Sequence, residues 1–292
     1  LVCGGSGYIG SHTVKELLTC GYNPIIYDRK EPEFNGLIKN VKCVVGDLSD
    51  YALLEKTIRD EKIEAVIHFA GYIEVGESVV YPERYYENNV CKTLNLLNCM
   101  VACNVKNIVF SSSAAVYGCP REIPIKEDAL LNPINPYGET KYAIERMLGY
   151  FEKAYGIRYV ALRYFNAAGA DKSGLIGERH SPETHLIPIV LNALYKDKEI
   201  KIFGNDYNTK DGTCIRDYVH VTDLANAHIL AVKHLASGGC SRVYNVGSGT
   251  GFSIKEIISI AEKVTNKKAR ISYEKRREGD PPVLLADITR IT

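Results

Sequence analysis

The chain reads as an α/β protein built on a doubly wound parallel sheet, and three observations predict it. Short apolar runs alternate with amphipathic stretches from Leu1 to about Tyr164, the pattern of repeated strand and helix. The runs carry no polar alternation, as in Ala65 to Ala70, which fits parallel strands covered on both faces. The first run passes straight into a glycine-rich turn, Gly4-Gly5-Ser6-Gly7-Tyr8-Ile9-Gly10, and then into a helical pattern through Val14, Leu17 and Leu18.

That opening predicts the first strand, Leu1 to Cys3, and the first helix. The glycines satisfy Gly-x-Gly-x-x-Gly from Gly5 and Gly-x-x-Gly-x-x-Gly from Gly4. They allow a tight turn and close approach of the backbone to a pyrophosphate, which the free N–H groups of the helix N-terminus then face. A second strand, Pro24 to Tyr27, ends at Asp28. An acid there accepts hydrogen bonds from both ribose hydroxyls of an adenosine and repels a 2′-phosphate, which favours NAD over NADP. Arg29 and Lys30 follow at once and pull the other way.

Lys42 to Val45 is the third strand, followed by Gly46-Asp47-Leu48. Asp47 suits either the adenine amino group or the N-cap of the helix that starts near Tyr51. The fourth strand, Ala65 to Ala70, ends in small residues at Ala70-Gly71, and His68 inside it reads as a core histidine. Tyr81 to Cys103 reads as one long helix, with Asn88 and Asn89 facing either a cofactor or a partner helix. The fifth strand, Asn107 to Phe110, ends in Ser111-Ser112-Ser113, where ligands bind in open α/β sheets. Pro120 to Pro136 is a loop, and Tyr159 to Tyr164 is the sixth strand.

Between these last two lies Tyr137-Gly138-Glu139-Thr140-Lys141, at the start of a helical pattern running to about Tyr155. Residues four apart share a helix face, so the phenol of Tyr137 and the ammonium of Lys141 point into one space. A cation at about 5 Å, with an effective dielectric of roughly 20, favours the phenolate by about 3 kcal/mol, or roughly 2 pKa units. A second positive charge, such as an oxidised nicotinamide ring, supplies the rest. The expectation is a tyrosine that exchanges a proton near neutral pH.

Beyond Tyr164 the character changes. Asp171 to His185 is irregular, Leu186 to Tyr195 helical, Ile200 to Phe203 a strand and Val221 to Leu235 a helix. Val243 to Val246 is a strand, and Ser253 caps a helix to Val264. The division predicted is a Rossmann-type NAD-binding domain over 1–168 and a smaller, interleaved α/β substrate-binding lobe over 169–292, with the ligand between them.

The 292 residues suffice for a large core, and 46% hydrophobic with 24% charged is ordinary for a globular protein. A net charge of +1 gives no electrostatic case for nucleic acid or a membrane surface, and no apolar run is long enough to span a bilayer. No signal-peptide pattern opens the chain. The nine cysteines form no Cys-x-x-Cys pair and no ligand cluster, so no metal site is expected, and dispersed thiols suggest a reducing, cytoplasmic setting.

The glycine loop, Ser113 and the Tyr137/Lys141 pair resemble the extended short-chain dehydrogenase/reductase superfamily. Further stretches resemble the UDP-glucose 4-epimerase family within it: Ile67 to Gly71, Val75 to Ser78, Arg163 to Asn166, Phe203 to Tyr207 through Asp211 to Thr213, and Arg216 to Val221. Arg276 to Asp280 also fits. The resemblance covers nearly the whole chain, which begins within the family's first strand and stops before its last helices. It implies an isomerase that binds NAD tightly and recycles it. Tyr137, Lys141 and Ser113 would be catalytic. NAD would contact Gly4, Gly7, Tyr8, Ile9, Gly10, Asp28, Asp47, Leu48, Phe69, Ala70, Gly71, Asn88, Ser111 and Tyr164 besides Tyr137 and Lys141. A UDP-sugar would contact Phe165, Asn166, His185, Leu186, Arg216, Tyr218, Arg277, Asp280 and Leu284 besides Ser113 and Tyr137, with the arginines on the diphosphate.

The resemblance also implies a homodimer in which the helices Tyr81 to Cys103 and Tyr137 to Tyr155 of each subunit form a four-helix bundle. Three positions depart from the family: Ile73 replaces a usual lysine, His185 a common asparagine, and Leu284 stands where a tyrosine narrows or a small residue widens the sugar pocket. N-acetylated UDP-sugars are thereby an open second substrate pair. A 4,6-dehydratase or decarboxylase on the same fold is disfavoured by Ser113-Ala114-Ala115, which offers no carboxylate. A non-catalytic NAD-binding sensor has no need of Ser113, Tyr137 and Lys141 together.

Overall fold

The computed structural model describes residues 1–32, 41–277 and 279–292; Glu278, within the Arg276 to Asp280 motif, lies outside them. The apolar runs form strands β1 (Val2–Cys3), β2 (Ile26–Asp28), β3 (Cys43–Val45), β4 (Ala65–His68), β5 (Asn107–Ser113) and β6 (Arg158–Tyr164). With β10 (Arg242–Val246) they make one seven-stranded sheet in the order β10-β6-β5-β4-β1-β2-β3, every pair parallel. The chain winds outward from β1 to β3 and then returns past β1 to β4. The crevice at the carboxyl ends of β1 and β4 is therefore the switch point where ligands bind in such sheets.

Both faces of the sheet are covered, which is why its strands carry no alternation. One face packs Leu54 and Ile58 of α2 (Tyr51–Asp60), Leu96, Leu97 and Met100 of α5 (Lys92–Ala102), and Ile144 and Leu148 of α6 (Pro136–Tyr155) against Val66, Ile108 and Phe110. The other packs Val14 and Leu17 of α1 (Tyr8–Thr19), and Leu224, Ile229, Val232 and Leu235 of α8 (Val221–Ala236), against Ile67, Val109 and Leu162. Each such buried side chain contributes roughly 1.5–3 kcal/mol of transfer free energy.

Two features depart from the sequence reading. The stretch expected as one helix over Tyr81 to Cys103 is α4 (Pro82–Tyr85), a π-helical turn over Tyr86–Cys91, and then α5. Such a turn rotates the residues that follow, which a 3.6-residue period does not register. A short helix, α3 (Val75–Val80), precedes it; six residues bounded by Pro82 carry too little periodicity to be read as helix. Beyond residue 168 the chain stays interleaved with the large sheet: β10 pairs with β6 and α8 packs along α1.

The smaller lobe is thus interleaved with the large sheet. It holds β7 (Asn166–Ala168), β9 (Ile215–His220), β11 (Gly251–Ser253) and β13 (Val283–Leu284) in one sheet, and β8 (Glu199–Phe203) with β12 (Arg270–Glu274) in another. Helices α7 (Leu186–Lys196) and α9 (Ile254–Thr265) bury Val190, Leu194 and Ile258 against Ile200 and Ile202. Ser253 caps α9 in a reciprocal pair with Glu256, as its position before the apolar pattern requires.

Candidate active site

The glycine turn is shaped by space as much as by conformation. Gly4 sits at φ +80°, and a Cβ there would lie 2.6 Å from the Ala70 nitrogen. A Cβ on Gly10 would collide with the Gly4 carbonyl. Backbone therefore comes within reach of any ligand in the crevice. Helix α1 starts at Gly7 with no side-chain cap and no acid in its first turn, so its N–H groups and dipole face the crevice. Asp28 closes the end of β2, its Oδ2 accepting the Ser6 N–H at 3.0 Å. Arg29, the competing basic residue, is engaged by Tyr72, whose ring centroid lies 5.3 Å from its guanidinium.

Helix α6 presents the central pair. Asn135 caps it by accepting from the Gly138 N–H at 2.8 Å, Pro136 occupies the first turn, and Gly156 ends it in the left-handed region at φ +69°. The Tyr137 N–H donates to Ser78 Oγ at 3.2 Å, so α3 anchors the first turn. One turn on, Lys141 is buried and its Nζ donates to the Ser111 carbonyl at 2.8 Å, 5.8 Å from the centroid of the Tyr137 ring. Burial draws the ammonium down to about 8, partly opposed by the Glu145 carboxylate.

This corrects one expectation. Burial pushes the Tyr137 phenol up, and the hydrogen bond with Ser113 draws it only partly back. Lys141 Nζ is turned to the Ser111 carbonyl, 5.8 Å from the Tyr137 ring, and desolvation of the phenolate is the largest influence on the phenol.

Strand β5 brings hydroxyls to the same spot. Ser111 Oγ and the Tyr164 hydroxyl are hydrogen-bonded, and Ser113 Oγ accepts the Ala115 N–H at 3.1 Å. Behind them is a buried polar network. Arg163 pairs with Glu145 at 2.6 Å, Ser112 Oγ donates to Glu145 at 2.5 Å, and Arg163 reaches the Tyr117 hydroxyl at 2.9 Å. Three elements of the site, β5, β6 and α6, are thereby locked in register.

One cavity of about 1030 Å³ joins these parts. Ser113, Tyr137 and Lys141 line it, as do Gly4, Gly7, Tyr8, Ile9, Gly10, Asp28, Asp47, Leu48, Phe69, Ala70, Gly71, Asn88, Ser111 and Tyr164. So do Phe165, Asn166, His185, Arg216, Arg277, Asp280 and Leu284 from the lobe side. Asp280 bridges the two arginines, 3.5 Å from Arg216 Nη2 and 3.0 Å from Arg277 Nε. Leu186 and Tyr218 do not line the cavity. Leu186 turns into the lobe core, and Tyr218 is half-buried on β9, where burial pushes its phenol up to about 12.

Two alternatives left open by the sequence are narrowed. The N-cap of α2 is Asp50, which accepts from the Leu53 N–H, whereas Asp47 lines the cavity wall. Partial burial raises the Asp47 carboxyl, but Lys92 at 2.8 Å and the Ser49 hydrogen bonds outweigh this and hold it at about 2. Of the two asparagines, Asn88 lines the cavity, while Asn89 is buried and braces Tyr72 and Thr140. His68 is a core histidine bonded to Thr93, held down at about 3 by burial.

The sequence reading missed Lys92, Glu178 and His180 in the wall. Lys92 was hidden by the π-helical turn. Glu178 and His180 sit in an irregular stretch whose only signal was the close spacing of Glu and His. There, Glu178 lies 2.8 Å from His185 Nδ1 and keeps that imidazole protonated to higher pH than usual.

The chain is similar to proteins of known function. The model of the NAD dependent epimerase/dehydratase family matches residues 1–247. A UDP-glucose 4-epimerase of Halalkalibacterium halodurans is 53% identical over 98% of this chain and 86% of its own length. The UDP-glucose 4-epimerase of Brucella ovis, solved in complex with NAD, superposes with a TM-score of 0.95 at 48% identity, covering 99% of this chain and 89% of that one. The Bifidobacterium longum enzyme of the same name, in complex with NAD+ and UDP, gives 0.93 at 40% identity over 99% and 90%.

Proposed function

The chain belongs to the NAD dependent epimerase/dehydratase family, and from that premise we propose how its own residues interconvert UDP-galactose and UDP-glucose. The reaction is a 4-epimerisation through a 4-keto sugar, with NAD bound tightly and recycled. The observation that carries this reading is the convergence of Ser113, Tyr137 and Lys141 on one cavity that also holds the glycine cradle and the arginine pair.

The cavity fits NAD on its own evidence. The glycine turn leaves no room for side chains, the uncapped start of α1 suits a pyrophosphate, and Asp28 suits a ribose diol. When bound, NAD supplies the hydride acceptor and, after the sugar turns over, the hydride donor. The rest falls to the protein. Tyr137 takes the proton from the sugar's 4-hydroxyl and returns it to the 4-oxygen on the other face. Ser113 hydrogen-bonds that oxygen and relays the proton. Lys141 supplies positive charge beside the phenolate. Asp280 aligns Arg216 and Arg277 for the diphosphate, so the nucleotide is gripped while the sugar remains free to rotate.

Two finer points belong to the same reading. The chain forms a homodimer through α4, α5 and α6, supported by Tyr86, Leu94 and Tyr150, large apolar or aromatic side chains exposed on these helices and the turn between them. It works in the cytoplasm, supported by its nine unpaired thiols. No helix among the described residues is long and apolar enough to cross a membrane.

The test is to add UDP-galactose alone to the purified protein while following reduced-nicotinamide absorbance and product sugars. UDP-glucose formed without added NAD and without net reduction is the expected result. Stoichiometric reduced cofactor with an oxidised or dehydrated sugar would overturn the assignment.

A further inference from the structure

The irregular stretch before α7 gathers four potential ligands within eight residues: Glu178, His180, Glu183 and His185. One donor atom from each lies within 4.8 Å of all the others. His185 Nδ1 is 2.8 Å from Glu178 and 3.3 Å from Glu183, and His180 Nδ1 is 3.3 Å from Glu178 and 3.8 Å from Glu183. The side chains of Glu178 and Glu183 are only 7% and 17% exposed, too little for the carboxylates to be explained as a solvated face.

We propose that these four side chains form a divalent-metal site on the wall of the cavity, with zinc as the ion it takes. The donor set is two imidazoles and two carboxylates, ligands that zinc accepts in tetrahedral array. Hydrogen bonds account for part of the arrangement: Glu183 Oε1 accepts from the Thr184 and His185 N–H groups at 2.9 Å, and Glu178 pairs with His185 Nδ1. Each Nδ1 faces both carboxylates yet carries at most one proton, and His180 Nδ1 is sealed from solvent without a hydrogen bond. What these hydrogen bonds leave over is His180 Nδ1, buried without a hydrogen bond beside the Glu178 and Glu183 carboxylates, and a cation seated among these groups would satisfy it. Zinc–ligand bonds of about 2.0–2.2 Å place neighbouring donors roughly 3.5 Å apart. A contraction of about 1 Å closes the cluster, a movement within reach of side chains on an irregular segment.

The site goes beyond the epimerase reading and is tested without activity. Purified NAD-loaded protein is equilibrated with zinc chloride and with cobalt chloride, and bound metal is measured by mass spectrometry after gel filtration. One equivalent of zinc per chain is expected, with cobalt giving the intense visible bands of a tetrahedral ion. Glu183→Gln, nearly isosteric, and His180→Ala should each weaken binding by at least about tenfold, the loss known for even outer-shell partners. Absence of stoichiometric metal would overturn the proposal. So would zinc retained undiminished in both variants, or a cobalt–thiolate charge-transfer band, which would place the ion on exposed thiols such as Cys20 or Cys91. Should His180→Ala fail to fold, Glu183→Gln alone decides.

Discussion

The ammonium of Lys141 donates to the carbonyl of Ser111 at 2.8 Å, so the cation of the Tyr-x-x-x-Lys motif is tied to strand β5 before any ligand arrives. The same strand ends at Ser113, which touches the Tyr137 phenol. Strand and helix therefore hold the three polar groups at fixed separations. What the protein does not provide alone is a lowered tyrosine pKa, because burial dominates. The positive charge of a bound oxidised dinucleotide would draw it back down.

Removing the phenolic oxygen should thus separate chemistry from binding. Tyr137→Phe is expected to lose about 10²–10⁴-fold in turnover of UDP-galactose, the usual size of a proton-transfer contribution. NAD released on denaturation should stay near stoichiometric, since the glycine turn is untouched. Turnover above a tenth of the parent value would remove Tyr137 from its role.

Lys141 carries a stability cost. Its folded pKa, about 8, lies below the 10.5 of a free lysine, so the native state holds the proton less well than the unfolded chain. The penalty is fully present below about 8 and fades as pH rises from there towards 10.5. Lys141→Met should therefore unfold at higher denaturant at neutral pH, by about 1–2 kcal/mol after loss of the Ser111 hydrogen bond, while losing activity. Denaturant titrations at neutral and alkaline pH check both, and an advantage that grows with pH would contradict the assignment. In the parent, kcat/KM should fall as pH rises through about 8, where free enzyme loses the cation.

The Arg163–Glu145 pair lies behind the site and is almost wholly buried, with side chains 5% and 7% exposed. Breaking such a pair strands one charge. Arg163→Met or Glu145→Gln alone should destabilise by about 3–5 kcal/mol. The double change Arg163→Met/Glu145→Met should recover much of the loss. Equilibrium unfolding of the three variants makes the comparison; singles that cost no more than the double would show the pair to be water-accessible.

Much of this was legible in the sequence, for physical reasons that differ by element. Ala65 to His68 could be read as a covered parallel strand because burial on both faces removes alternation. Ser253 could be read as a cap because its side chain satisfies a local N–H group. What could not be read were effects of three-dimensional closure. The π-helical turn at Tyr86–Cys91 shifts Lys92 onto Asp47, and no periodicity announces it. Strand β10 pairs with β6 in the large sheet, and the apolar run Val243 to Val246 does not say which sheet it joins. The Tyr137 shift depends on desolvation, which a spacing does not carry.

Two cavity-lining glycines give a last contrast. A Cβ at Gly10 meets backbone, the Gly4 carbonyl and the Gly5 Cα, which cannot rotate aside. Gly10→Ala should deform the turn, and the purified protein should carry little NAD. At Gly76, within α3, a Cβ meets nothing within 4 Å. Gly76→Ala should leave NAD content and turnover unchanged and add up to about 1 kcal/mol of stability from helix propensity. Bound NAD after gel filtration and thermal unfolding of both variants measure the difference. If the two alanines behave alike, close backbone approach at Gly10 is not what the crevice requires.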